Sequence, residues 1–166
     1  MPQYRMQTLL EMRERAEEEA KQAFSDAMQA LTKAQQEQKR LEADLERRKR
    51  ERKQRVDEYV KEIVSNGTGV NGMRNMYAFE NRLKAEEAQV ALEIEKQKVV
   101  VRQAEKLVEL RRAEMAEAAK ELKAIEKHKE KWTKEVRAER QMREELNQEE
   151  IGNALHLARM KAQQDS

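Results

Sequence analysis

The feature that most constrains this chain is a narrow apolar stripe that keeps one alternating four-three spacing on both sides of a glycine cluster. Before the cluster the stripe runs through Ala20, Phe24, Ala27, Leu31, Ala34, Leu41 and Leu45, with Gln38 its one polar member. It resumes at Val56, Tyr59 and Ile63, and the longer step from Leu45 to Val56 is that of a four-residue stutter. After the cluster the same spacing passes through Leu83, Val90, Ile94, Val101, Ala104, Val108, Met115, Ala118, Leu122, Ile125, Trp132, Val136 and Leu146. Polar side chains fill the stripe at Glu87, Gln97, Arg111, Lys129, Glu139 and Arg143. A four-three repeat sustained this long predicts supercoiled α-helices, because it keeps one seam facing a partner along the whole length.

Composition leaves one competitor, disorder, since 41% of residues are charged and 4% aromatic. A disordered chain has no reason to hold apolar residues in register, so the periodicity decides for helix. The 35 basic and 33 acidic side chains nearly cancel, and a net charge of +2 lacks the concentrated excess that a polyanion requires. With no cysteine, neither disulfides nor thiolate metal sites are available. No apolar leader and no stretch of about 18 apolar residues is present, which predicts no direct membrane insertion.

Gly67, Gly69 and Gly72 spell GxGxxG, the letters of a dinucleotide-binding loop. That loop needs a strand before it and a helix after it. Here a helical seam precedes it, so the glycines read as the turn of an antiparallel hairpin. The expected architecture is all-α: a long antiparallel two-helix coiled-coil hairpin with a C-terminal helical extension. It forms a single domain over 1–166, with helix 1 at about 3–64, the tip at 65–72 and helix 2 at about 73–163.

Facing residue numbers then add to about 138. Val56 faces Leu83, Leu45 faces Ile94, Leu31 faces Val108, Phe24 faces Met115, and Arg52 falls opposite Glu87 as an ion pair inside the seam. By the same rule Tyr4 faces Lys134 and Met6 faces Trp132, so the chain from Gln141 onward is unpaired. That extension carries Ile151, Leu155 and Ala158 on one face, and Gly152 weakens it as a continuous helix.

Chemistry is sparse. There is no GxxxxGK[ST] loop, and His128 and His156 lack ligand spacing to each other. A two-helix coil offers no cleft in which paired carboxylates could be desolvated. The chain reads as a non-enzyme without catalytic, cofactor-binding or metal residues and with no cofactor. The basic run 47–55 could mark a nucleic-acid-associated or scaffolding coiled coil. Against nucleic acid, Glu46–Arg50 and Glu51–Arg55 have i,i+4 spacing, Glu80, Glu86 and Glu87 should lie on the facing arm, and no aromatics interleave the cations. Met73, Met76, Tyr77 and Phe79 either form an adaptable apolar patch or cap the hairpin core. Trp132 reads as core packing at the base.

Four stretches carry a resemblance: Tyr4-Arg5-Met6-Gln7-Thr8-Leu9-Leu10, Tyr77-Ala78-Phe79, His128-Lys129-Glu130-Lys131-Trp132-Thr133-Lys134-Glu135, and Gln148-Glu149-Glu150-Ile151-Gly152. With its charged helices, the chain resembles the YscO/FliJ family, the central-stalk proteins of type III secretion and flagellar export. The Trp-containing stretch and the tail lean toward YscO of the virulence-type injectisome. The resemblance implies a coiled coil likened to the γ subunit of rotary ATPases, whose terminal end enters a hexameric export ATPase. Its other end reaches toward the cytoplasmic domain of the export-gate membrane protein, and chaperones of translocator proteins are further partners. It implies a cytoplasmic location, peripherally on the secretion apparatus at the inner membrane, and no nucleic acid. The gate-facing residues implied are Met76, Tyr77, Phe79 and Leu83. The ring-facing ones are Tyr4, Arg5, Leu9, Arg13, Trp132, Arg137, Arg140 and Arg143.

Overall fold

The computed structural model describes residues 2–165 and contains two long helices, α1 (Gln7–Asn66) and α2 (Gly69–Gln164), and no strand among the described residues. The fold is the all-α helical hairpin that the seam predicts.

The connection is tighter than the expected tip at 65–72, with Gly67 and Thr68 alone between the helices. Glycine chemistry explains the difference. Gly67 takes a left-handed φ of 65° and its N–H donates to the Ile63 carbonyl at 3.0 Å, which closes the end of α1 with a left-handed cap. Gly69, at φ 59°, opens α2. Gly72 is needed for closeness instead: a Cβ there would stand 3.0 Å from Thr68 Cβ and 3.2 Å from Ile63 Cγ1. All three letters of the GxGxxG pattern thus serve the turn.

The residues cluster into two compact units. In the unit Ala20–Met115 the seam closes as its spacing predicts. Ala27, Ala34, Leu41 and Ile63 of α1 are buried, as are Met76, Val90, Ile94, Val101 and Val108 of α2. Leu41, Val90 and Ile94 form a cluster against which Leu45 packs, so Leu45 and Ile94 meet as the register requires. Gln97, a polar seam residue, donates from Nε2 to the Ala34 carbonyl at 3.0 Å, which satisfies an amide inside the apolar line. Phe24, expected opposite Met115, has its ring 5.7 Å from the Arg112 guanidinium, nearly one turn from the expected partner.

The second unit joins the described residues of Met1–Glu19 with those of Ala116–Ser166. Tyr4, Leu10 and Leu122 are its buried residues. Lys129 Nζ donates to Gln7 Oε1 at 2.8 Å, and Arg13 pairs with Glu121. Tyr4 lies against Trp132, with ring centroids 5.1 Å apart, rather than against Lys134. Met6, the partner expected for Trp132, stays 40% exposed. The cause is local: the described chain before Gln7 is not helical. A turn in which the Gln7 N–H donates to the Tyr4 carbonyl at 3.1 Å swings the Tyr4 ring inward.

Val136 is the last residue of α2 with substantial cover. The helix nevertheless continues without a break through Gly152 to Gln164, and every described residue after Val136 is exposed.

Candidate partner-binding surfaces

Near the glycine turn the four gate-facing candidates divide. Met76 is buried at 4% exposure and belongs to the seam. Phe79 is half-buried, stacked on Tyr59 with centroids 5.8 Å apart and covered by Arg82 at 5.4 Å. Leu83 is also half-buried. Tyr77 alone of the four is open, at 55% exposure. So Met76, Phe79 and Leu83 cap and line the paired helices, while Tyr77 offers a ring to solvent. Val64 and Val70, the most exposed large apolar side chains, stand outside the seam phase on either side of the turn. Sequence reading missed them because it followed the stripe, and an off-phase β-branched residue beside a glycine turn was the available signal.

The basic run 47–55 lies against acids. Arg47 and Arg48 both bind the Asp44 carboxylate, Arg48 at 3.0 Å, and Arg48 also reaches Glu86 at 3.6 Å. The Arg47 hydrogen bond, followed by that of Arg48, holds the Asp44 carboxyl below its ordinary range. The i,i+4 pairs expected at Glu46–Arg50 and Glu51–Arg55 do not form. Glu46 meets Lys49 at 3.9 Å and Glu51 meets Arg47 at 3.4 Å, since each carboxylate takes the cation that its helical turn brings nearest.

Arg52 does reach across the seam, with Nε 2.7 Å from Glu87 Oε2 and Nη1 3.8 Å from Glu80. The angle at the close contact is not that of a hydrogen bond, so Nε and Oε2 are an ion pair without a shared proton direction. Glu87 is 9% exposed, so the pair is deeply placed, and its value lies in fixing register more than in net stability. Arg47, Arg48, Lys49 and Arg52 of the run are thus each set against a carboxylate.

In the other unit the ring-facing candidates form two groups. Tyr4 is buried with its hydroxyl bonded to His128 Nδ1, Trp132 and Leu9 are half-buried, and Arg13 is tied to Glu121. Those four hold the packing together. Arg5, Arg137, Arg140 and Arg143 are exposed, and Arg140 makes a loose pair with Glu144 at 3.5 Å. Pro2, Val136, Glu139, Arg140 and Arg143 line a shallow cleft there.

Beyond it the bare helix shows Met142, Leu146, Ile151, Leu155, Leu157 and Met160, each at least 46% exposed. At 100° per residue, Met142, Leu146, Leu157 and Met160 fall opposite Ile151, Leu155 and Ala158. The segment is therefore apolar on two sides where sequence reading found one. Among the described residues no His, Asp or Glu group could hold a metal ion, and no helix is long and apolar enough to cross a membrane.

A hairpin with long seams, a two-residue glycine turn and a bare helical tail sets the terms for comparison. The chain matches the YscO-like protein family over residues 1–162, which spans both helices and the bare segment. The chain belongs to the YscO-like family. A solved structure from Chlamydia trachomatis, described as a candidate YscO homologue, is similar at 24% identity and a TM-score of 0.77, covering 97% of this chain and 99% of that one. That likeness shows a shared fold. No curated protein matches. YscO-like proteins are structural, non-catalytic components of type III secretion, and this member is a stalk-like protein of that system.

Proposed function

We propose that this YscO-like chain is the central stalk that engages and stimulates the hexameric export ATPase of a virulence-type secretion apparatus and links it to the export gate. Family membership over nearly the whole chain carries the reading. An asymmetric shaft inside a ring contacts the ring subunits unequally and biases their nucleotide sites, which is how a non-catalytic protein raises the turnover of another. Arg5, Arg137, Arg140 and Arg143 supply polar contacts suited to a surface that must not stick, and Tyr4, Leu9, Arg13 and Trp132 hold the segment that presents them. On the gate side Tyr77 makes the contact, supported by Met76, Phe79 and Leu83. The protein works in the cytoplasm, on the apparatus at the inner membrane, and also binds chaperones of translocators.

Stimulation of a purified hexameric export ATPase by sub-stoichiometric amounts of this protein tests the reading directly. Acceleration that is lost with Arg137, Arg140 and Arg143 replaced by alanine is the expected result. An ATPase whose rate is unchanged at every ratio overturns it.

A further inference from the structure

The glycine turn holds the chain's two Asn-Gly pairs, Asn66-Gly67 and Asn71-Gly72, and sets them in opposite surroundings. Asparagine followed by glycine is the pair most prone to spontaneous deamidation, because glycine has no Cβ to hinder its own nitrogen from reaching the asparagine side chain. At Gly67 that freedom survives folding. Gly67 is exposed, a Cβ placed on it would meet nothing within 4 Å, and Asn66 is the last residue of α1. One hydrogen bond, from the Gly67 N–H to the Ile63 carbonyl at 3.0 Å, holds the reacting nitrogen back, and bonds in a terminal helical turn are those that open most often.

At Gly72 it does not. Gly72 is buried, and a Cβ there would press on Thr68 and Ile63, so the backbone around it is fixed inside the first turn of α2. Both asparagine side chains are exposed, so access of water does not separate the two pairs. What separates them is the room around the peptide that follows.

We propose that Asn66 is a spontaneous deamidation site, at which the turn passes slowly and irreversibly from a neutral to a charged form, while the packing of Gly72 protects Asn71. The Gly67 nitrogen, once base has taken its proton, attacks Asn66 Cγ and closes a five-membered imide, and the Asn66 Nδ2 group leaves as ammonia with a proton taken from water. Water then opens the ring. Attack at the backbone carbonyl carbon leaves isoaspartate, with the chain rerouted through the side chain, and attack at Cγ leaves aspartate. The net change is amide plus water to carboxylate plus ammonium, with no change of oxidation state.

The turn changes in two ways. A carboxylate appears four residues after Glu62, a like-charge pair on one helix face, and the last turn of α1 has no basic residue to offset it. Glu62, Asn66, Asn71 and Asn75 line one cleft there, in which Glu62 is the one charged side chain beforehand. Isoaspartate also adds a backbone carbon just before Gly67, which displaces the nitrogen that caps α1. The inference rests on the chemistry of the turn itself and stands whether or not the chain meets an export gate.

Incubating the full chain in mildly alkaline buffer, then mapping its peptides by mass spectrometry with enzymatic methylation of isoaspartate, tests the proposal. In the folded chain Asn66 is converted at least about tenfold faster than Asn71, whereas in concentrated urea the two react at similar rates. The rate at Asn66 rises with hydroxide concentration, and Asn66→Gln abolishes that product with helicity unchanged. The converted chain, separated by ion exchange, shows faster amide exchange in the last turn of α1 than the fresh chain. Equal ratios of the two rates in folded and unfolded chain overturn the proposal, since the fold would then select neither site. So does conversion confined to Asn71, or an Asn66 that stays an amide in the folded chain while it reacts in urea. Amide exchange unchanged by conversion overturns the loss of the cap.

Discussion

Two stretches of α2 with similar apolar content have opposite fates. Between Val90 and Val108 the seam residues Val90, Ile94, Val101 and Val108 are covered to 8% exposure or less, whereas Leu146, Ile151 and Leu155 are more than half exposed on the same unbroken helix. Helix geometry is identical in both, so backbone conformation does not report burial. What differs is a partner. The first stretch has α1 against it, and the second has none within this chain. Apolar positions in a helix therefore state a demand for cover, and only the first stretch meets that demand internally.

The sharpest way to break the comparison is to truncate one residue from each stretch. Ile94→Ala removes atoms from the Leu41, Val90 and Ile94 cluster and costs about 2–4 kcal/mol in urea unfolding. Leu155→Ala changes the same measurement by less than about 0.5 kcal/mol. Equal losses would show that the bare segment is covered in solution.

Removing one member of the seam ion pair comes next. Glu87→Ala leaves Arg52, whose side chain is 19% exposed, without its closest acid, and costs about 2 kcal/mol. Arg52→Met combined with Glu87→Leu recovers most of that loss but allows alternative registers, which crosslinking between the helices would detect.

Glycine substitution gives a contrast in sign. Gly67→Ala forces a side chain into a left-handed conformation and destabilises by about 1 kcal/mol. Gly152→Ala meets nothing within 4 Å and stabilises the bare helix by up to about 1 kcal/mol, visible as slower amide exchange around it. Exchange that fails to slow there would mean that something other than helix propensity holds that segment.

The smallest effect is acidic. The Asp44 carboxyl is held below its ordinary range by Arg47 and Arg48, so it contributes stability above the unfolded aspartate range and loses it as pH falls through the lowered value. Asp44→Asn abolishes that share of the acid dependence, with the change confined to the acidic limb of a stability profile against pH. The pair lies at the helix surface, where solvent screens it, so this difference is slight.

Much of the fold was legible. The four-three stripe named most seam residues from Ala20 to Val136 but not Met76 or Leu10, and Arg52 with Glu87 was readable because two polar residues falling at facing seam positions had few other solutions. The base was read less well, since the rule that sets facing numbers assumes helix from the start. The turn between Tyr4 and Gln7 sets Tyr4 against Trp132. Surface properties were hardest. Whether Met76, Phe79 or Tyr77 is the exposed one depends on a rotation of a few tens of degrees about the helix, which a list of neighbouring apolar letters does not contain.

Sequence alone determined that this chain is helical and that it folds back at its glycines, because periodicity and turn chemistry are local and need no partner to be expressed. Tertiary structure decided which apolar residues are satisfied within the molecule, which cations are already spent on carboxylates and which faces are left open. Those outcomes depend on what stands within a few ångströms across the seam, and that proximity exists once the two helices have closed.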